Sequence, residues 1–407
     1  MRTEEFYKFI ENNKYKDTLG LSLSIKKTNY NFDVDFAILQ IEARRKYFLK
    51  LKSFLENERF LFPDYVSGEQ ASHQSIALYH SSLASGGGEI LDMTAGLGID
   101  SFTLSRKTDK LIAIELNPLK AEILKENLTV LNINNIEVFN IDSIQYLKTT
   151  NKKFEIIYVD PSRRASDKRK VYNLHDCTPD ILLNQDLLLS KASKILIKAS
   201  PLLDITQTIR DFKKICCIRA VGVKGECKEI LIELDRTINC GDVVKLEAIN
   251  LDNEGNIISI YKEDFSLENK SQNSSSKISF ADENDLSKGK YVLEPSPMIM
   301  KISPWESICE RYNSKKLGKS SHLFITDVKP MDFPGKVTSF HSILKKQDRK
   351  SLSGFPATVI SKNHPMSADE LRKSLHLKEG NQNFLYATRL GDKPIIFLTH
   401  SLESISR

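Results

Sequence analysis

Cysteine is scarce in this 407-residue sequence. Its six cysteines form no C-x-x-C pair, and none has a histidine neighbour at metal-ligand spacing. A disulfide framework and a zinc ribbon are therefore excluded, and no bound metal is expected. Cys216, Cys217, Cys227 and Cys240 fall in or near apolar strand-like runs and read as reduced core residues. Long apolar runs are also missing: none approaches the roughly 18 residues that a membrane-spanning helix needs. The opening MRTEEFYKFIENNK mixes three acidic with three basic residues and has no apolar stretch, which argues against a secretory signal and for a cytoplasmic protein. Nor does one sign of charge dominate. Fifty-nine Lys and Arg against 53 Asp and Glu leave +6, compatible with a nucleic-acid partner but too little to establish one.

One glycine is missing where a dinucleotide site would want it. Residues 89–118 run EILDMTAGLGIDSFTLSRKTDKLIAIELNP. Ile90, Leu91 and Met93 suit a buried parallel strand, residues 99–106 a helix, and Leu111 to Leu116 a second strand. The turn between them reads Gly96-Leu97-Gly98-Ile99-Asp100-Ser101, so G-x-G-x-x-G fails at its third glycine. Instead Asp92 stands four residues before Gly96, and Glu115 nineteen after it, ahead of Asn117-Pro118. An acid, a GxG turn and an acid closing the second strand resemble class I S-adenosylmethionine (SAM) methyltransferases. That ligand has no pyrophosphate to cradle. The turn must let backbone approach its amino-acid end, and Glu115 can accept from both ribose hydroxyls. Asp142, closing a third strand in FNIDSIQYL, either meets the adenine or caps the next helix.

Residues 1–85 read as a helical module, with a long helix over Phe36 to Leu55. A capping box at Ser67 to Gln70 predicts a single helix from Gly68 to Ala84. Within it Gln70, Ser72 and His73 are candidates to cover the SAM methionine end, as in methyltransferases with a helical extension; His73 alone reads more readily as a capping or surface residue. Residues 86–236 repeat strand and helix, with strands near 89–95, 110–116, 136–142, 154–160, 194–199, 214–223 and 229–236. Only Lys224 to Lys228 separate the last two, so a hairpin closes the sheet. The expected fold is α/β: a Rossmann-like class I methyltransferase core of seven strands, the last antiparallel. Residues 237–407 form an α+β module, with a serine-rich loop at 266–277 and helices near 304–317 and 367–376.

The fourth strand ends Val159-Asp160-Pro161-Ser162-Arg163-Arg164. Amine-modifying methyltransferases carry (Asp/Asn)-Pro-Pro-aromatic here; this chain keeps the acid and one proline. The segment also resembles the Asp-Pro-x-Arg of uracil-5 methyltransferases. Those need a cysteine on the strand 5 edge, and Ile197-Lys198-Ala199-Ser200-Pro201 has none. Asp160 and Pro161 are the catalytic candidates. Ser162, Arg163, Arg164 and Lys198 are candidates for substrate contact, the guanidiniums suiting phosphates or base edges; the alternative is that both arginines pair with surface acids. The tip Gly225 to Glu229 either overhangs the cleft or is a solvated turn.

EQASHQSIA, LDMTAGLGIDSF, VDPSRR and GECKE, taken in order, resemble a bacterial family of class I methyltransferases with a C-terminal THUMP-like domain. Tyr291 to Pro295 and Ser361 to Pro365 fit its ferredoxin-like and THUMP-like parts, although Lys362 and His364 stand where that family usually has arginine and phenylalanine. The resemblance implies a SAM-dependent methyltransferase, an RNA partner, and Asp92, Gly96, Gly98, Glu115 and Asp142 at the cofactor. Two other readings stand beside it: a non-catalytic RNA-binding or assembly protein with a retained SAM pocket, and a methyltransferase of a non-RNA substrate.

Overall fold

The computed structural model describes residues 2–163, 174–238, 243–266, 278–345 and 347–402. The chain divides into two compact units, residues 1–245 with 249–258, and residues 246–248 with 259–407. None of the helices among the described residues is long and apolar enough to cross a membrane.

The first unit is built on a parallel sheet whose strands are short and apolar. They are β1 (Ile90–Asp92), β2 (Leu111–Ile114), β3 (Ile136–Phe139), β4 (Phe154–Val159) and β5 (Ala192–Ala199). β1 lies between β2 and β4, with Ile90 opposite Leu111 on one side and Ile156 on the other. All three residues of β1 and all four of β2 are buried, as both-face coverage by helices requires. β6 (Ile215–Val223) and β7 (Glu226–Asp235) form the expected hairpin, and β7 runs antiparallel to both β5 and β6.

The sheet is wider than the sequence suggested. Its order is β9-β8-β6-β7-β5-β4-β1-β2-β3, where β8 is Val243–Leu251 and β9 is Ile257–Ser266. It has nine strands where the sequence predicts seven; β8 and β9 come from a hairpin that the sequence places in the C-terminal module. Ile249 and Leu251 of β8 are buried in the same apolar cluster as Ile90 and Leu111.

The helices before β1 share the core of the sheet. Leu39, Tyr47, Leu51, Phe54 and Ile76 lie in one buried cluster with Ile90, Phe102, Leu111 and Ile156. The long helix expected over Phe36 to Leu55 is instead a helix at Val34–Tyr47 and a short turn, Lys52–Leu55. Arg44 explains the break, because its guanidinium donates to the carbonyls of Leu55, Asn57, Glu58 and Phe60 and folds that segment back. The single helix expected from Gly68 is also two: one at Tyr65–Gln70, capped by Asp64, and another at Gln74–Ser82, capped by His73. Extended backbone at Ala71 ends the first, and Ser72 and His73 are delivered into the gap.

The second unit holds a seven-stranded sheet. In spatial order its strands are Lys315–Lys316, Phe324–Thr326, Tyr291–Pro295, Gly335–Ile343, Lys393–Ser401, Asn383–Leu390 and Thr358–Ser361. Alternate residues feed opposite faces. Phe384 and Tyr386 enter one buried cluster, Leu385 and Ala387 another. Ser367 and Glu370 form a reciprocal capping box on Ala368–Ser374. The Lys362 ammonium lies 2.6 Å from Glu294, which also accepts from the Tyr386 hydroxyl at 2.7 Å.

Candidate active site

The glycine turn sits where β1 ends. Gly96 has φ +54° and Gly98 φ +90°, both left-handed. At Gly98 the packing is as demanding as the angle: a Cβ there would lie 2.4 Å from the Leu124 side chain and 2.6 Å from the Phe102 ring. Glu115 locks the turn from β2. One oxygen accepts from Gly96 N–H at 2.9 Å and the other from Asn117 N–H at 2.8 Å. Asn117 caps the helix at Pro118–Val130, accepting from Lys120 N–H.

These residues border a cleft of about 1140 Å³, together with Ile141 and Asp142 from the end of β3. Asp142 caps the helix Ser143–Thr149 through Gln145 N–H at 2.8 Å. Asp92 does not line the cleft. It is 1% exposed and accepts from Thr94 N–H at 3.0 Å and from the Ser101 hydroxyl at 2.5 Å. Its place is beneath the turn, which it braces. Burial raises its pKa to about 7, against the pull of those two hydrogen bonds.

The opposite wall is made of charged side chains. Asp160 leaves the end of β4, its N–H donating to the Thr94 hydroxyl at 2.7 Å. Lys198, from β5, donates to Asp160 Oδ2 at 2.6 Å and to Ser72 Oγ at 3.0 Å. Lys198 therefore neutralises Asp160 within the site. Burial pushes Asp160 above its ordinary pKa, with Lys198 opposing. Burial disfavours charge on Lys198, but Asp160, Asp100 and Glu229 outweigh it and hold the ammonium above its usual range. Ser162 is exposed at the cleft, and its backbone pairs with Thr178. Arg163 continues that strand pairing, and Arg164 lies outside the described residues.

Sequence reasoning missed three residues that the structure adds. Ser72 donates to Asp100 Oδ2 at 2.6 Å, His80 Nδ1 lies 2.8 Å from Asp100 Oδ1, and His80 Nε2 lies 2.6 Å from Glu229 Oε1. Asp100, His80 and Glu229 come from three distant segments, so no local spacing announces them. His73 caps its helix, accepting from Ser75 N–H at 3.3 Å, and also faces the cleft. Burial, then Lys50, Lys224 and Lys228, push it down to about 4. The exposed hairpin tip does reach the cleft, through Lys224, Glu226 and Lys228. Among the described residues no group of His, Cys, Asp or Glu side chains could hold a metal ion.

This geometry can be set beside known proteins. The family model described as conserved hypothetical protein 95 matches residues 77–215, the ferredoxin-like domain model residues 291–334, and the THUMP domain-like model residues 336–401. The crystal structure of a candidate methyltransferase from Porphyromonas gingivalis W83 superposes with a TM-score of 0.82, 26% identity and 98% coverage of both chains. The architecture is that of a class I methyltransferase with ferredoxin-like and THUMP-like domains. Two curated relatives carry the name ribosomal RNA small subunit methyltransferase J. That of Francisella philomiragia is 31% identical over 131 residues, covering 28% of this chain and 55% of the relative. That of Francisella tularensis subsp. holarctica is 40% identical over 92 residues, covering 20% of this chain and 38% of the relative. The chain thus spans about half or less of the length of these relatives.

Proposed function

We propose that this chain is a SAM-dependent methyltransferase acting on a nucleobase of RNA in the cytoplasm. The observation that carries the reading is one cleft with a backbone turn and ribose-type acid on one wall and Asp160 with Lys198 on the other. Ligands of open α/β sheets bind at this carboxyl edge. SAM supplies an intrinsically activated methyl group on a sulfonium. The residues fit it: the left-handed turn keeps side chains off its backbone, and each Glu115 oxygen retains a further acceptor site for a ribose hydroxyl. Asp142 and Ile141, both at the cleft, are assigned to the adenine, and Asp92 to the turn.

On the other wall, Asp160 orients the acceptor atom, while Pro161, buried next to it and off the cleft lining, is assigned to holding that segment. Asp160 is held by two neighbours, Thr94 and Lys198, and its raised pKa suits it to take the acceptor's proton. Ser162, Arg163 and Arg164 are assigned to the substrate's phosphates and base edges. RNA as acceptor is supported by the names of the curated relatives and by the THUMP-like match at residues 336–401.

Isothermal titration with SAM, paired with transfer of radiolabelled methyl to total cellular RNA, tests the reading. Glu115→Ala should abolish binding. Asp160→Ala should bind SAM normally and lose turnover. If both variants bind normally, the site assignment is wrong. If wild-type protein binds SAM yet labels no RNA, an RNA-binding protein with a retained pocket replaces the enzyme.

A further inference from the structure

One buried group has no task in the methyl-transfer scheme. His80, on the helix Gln74–Ser82, is 0% exposed, with a carboxylate within hydrogen-bond distance of each ring nitrogen. A neutral imidazole can donate from only one nitrogen, so a ring held between two carboxylates is an imidazolium. Its partners lead to the acceptor wall. Asp100 receives the Ser72 hydroxyl, Ser72 accepts from Lys198, and Lys198 holds Asp160. Every link is 3.0 Å or shorter.

We propose that His80 is a positioning residue of this site, whose imidazolium bridges Asp100 and Glu229, offsets one of their two negative charges and thereby keeps Lys198 committed to Asp160. The inference rests on the reading of Asp160 as the acceptor-side residue. The groups that face the ring are Asp100 from the helix after the turn, Glu229 from β7 and the Tyr158 ring from β4 at 5.4 Å, with Lys198 behind Ser72. Without the imidazolium, two buried carboxylates have no cation between them. An uncompensated buried charge is strongly unfavourable. The nearest mobile cation is the Lys198 ammonium, one hydroxyl away from Asp100. Its shift toward Asp100 would strip Asp160 of its partner.

Carboxyl-carbon NMR of Asp160 in full-length protein reads this directly. His80→Gln should move the Asp160 titration midpoint upward by about one pH unit, the scale set by a neighbouring opposite charge. His80→Gln/Asp100→Asn removes the carboxylate that would draw Lys198 away and should keep the wild-type midpoint. The double variant also carries the test if the single one does not fold. Methyl transfer to RNA should fall at least tenfold in His80→Gln, with SAM affinity within twofold of wild type. An unshifted midpoint in His80→Gln, or a shifted one in the double variant, overturns the proposal. Wild-type protein that methylates no RNA overturns the functional reading instead, because the Asp160 titration needs no turnover.

Discussion

The two walls of the cleft are made differently. The turn wall is backbone: Gly96 and Gly98 in left-handed conformations, closed by Glu115 at 2.9 Å and braced from below by Asp92. Nearly all of it comes from one stretch, residues 92–115. The acceptor wall is side-chain charge: Asp160, Lys198, Ser72, Asp100, His80 and Glu229, drawn from segments spread over residues 72–229. A wall made of backbone fixes shape and tolerates almost no added atom. A wall made of linked ions fixes charge, and its members depend on one another. Binding should therefore fail locally on the first wall and cooperatively on the second.

Proton linkage gives the largest expected difference. Asp92 keeps its proton in the folded protein to about pH 7, against an ordinary 3.8. Between those values the folded state binds more protons than the unfolded chain. The stability that Asp92 contributes is thus fully present below pH 3.8 and lost as pH rises through about 7. The upper bound is about 4 kcal/mol. His80 has the same sign at a higher pH. Burial works against its charge, but Glu229 and Asp100 raise it to about 10, so its contribution persists across neutrality and is lost above that. Asp92→Asn keeps a side chain able to meet Thr94 and Ser101. It should flatten the decline in urea-measured stability between pH 5 and pH 8 and leave the alkaline decline in place. An unchanged profile below pH 8 would show that Asp92 is ionised in the fold.

Added volume separates the walls next. Gly98→Ala meets both a left-handed φ and a 2.4 Å contact, whereas Gly225 at the hairpin tip has φ +76° and nothing within 4 Å. Overpacking and backbone strain together should cost Gly98→Ala roughly 3 kcal/mol, with SAM binding lost. Gly225→Ala carries only the strain, about 1 kcal/mol, and should bind SAM as wild type does. Equal urea midpoints for the two variants would remove the packing argument.

The same contrast explains what could be read from the sequence. Asp92, Gly96, Gly98 and Glu115 lie within one strand-turn-helix-strand unit, so their spacing carries the geometry. Asp160 and Lys198 were visible singly, as strand ends. Their 2.6 Å contact follows from β4 and β5 being neighbours, a property of the sheet. His80 sits in the last turn of its helix and Glu229 in what reads as a turn; only long-range packing makes them a pair. The helix break at Ala71 was hidden because Ser67 offers a plausible cap, yet Asp64 takes that role and the Ser67 hydroxyl is left without a partner. The strands Val243–Leu251 and Ile257–Ser266 fall outside the expected sheet because a strand's sequence records its faces and leaves its sheet unspecified.

Asp142 is the residue on which the walls can be compared most finely, because two roles meet on it. As a cap it accepts from Gln145 N–H through Oδ1. As an adenine partner it would accept from the exocyclic amine through Oδ2. Asparagine keeps the first acceptor and replaces the second with a donor. Asp142→Asn should therefore leave stability within about 0.5 kcal/mol, while Asp142→Ala loses about 1 kcal/mol with the cap. If Asp142 also meets adenine, Asp142→Asn should weaken SAM binding at least roughly tenfold without affecting folding, since one hydrogen bond to a charged acceptor is worth about 1.5 kcal/mol or more. Calorimetry and urea unfolding on the same two variants separate the roles. Equal SAM affinity in wild type and Asp142→Asn would confine Asp142 to the cap and leave adenine recognition to apolar neighbours such as Ile141.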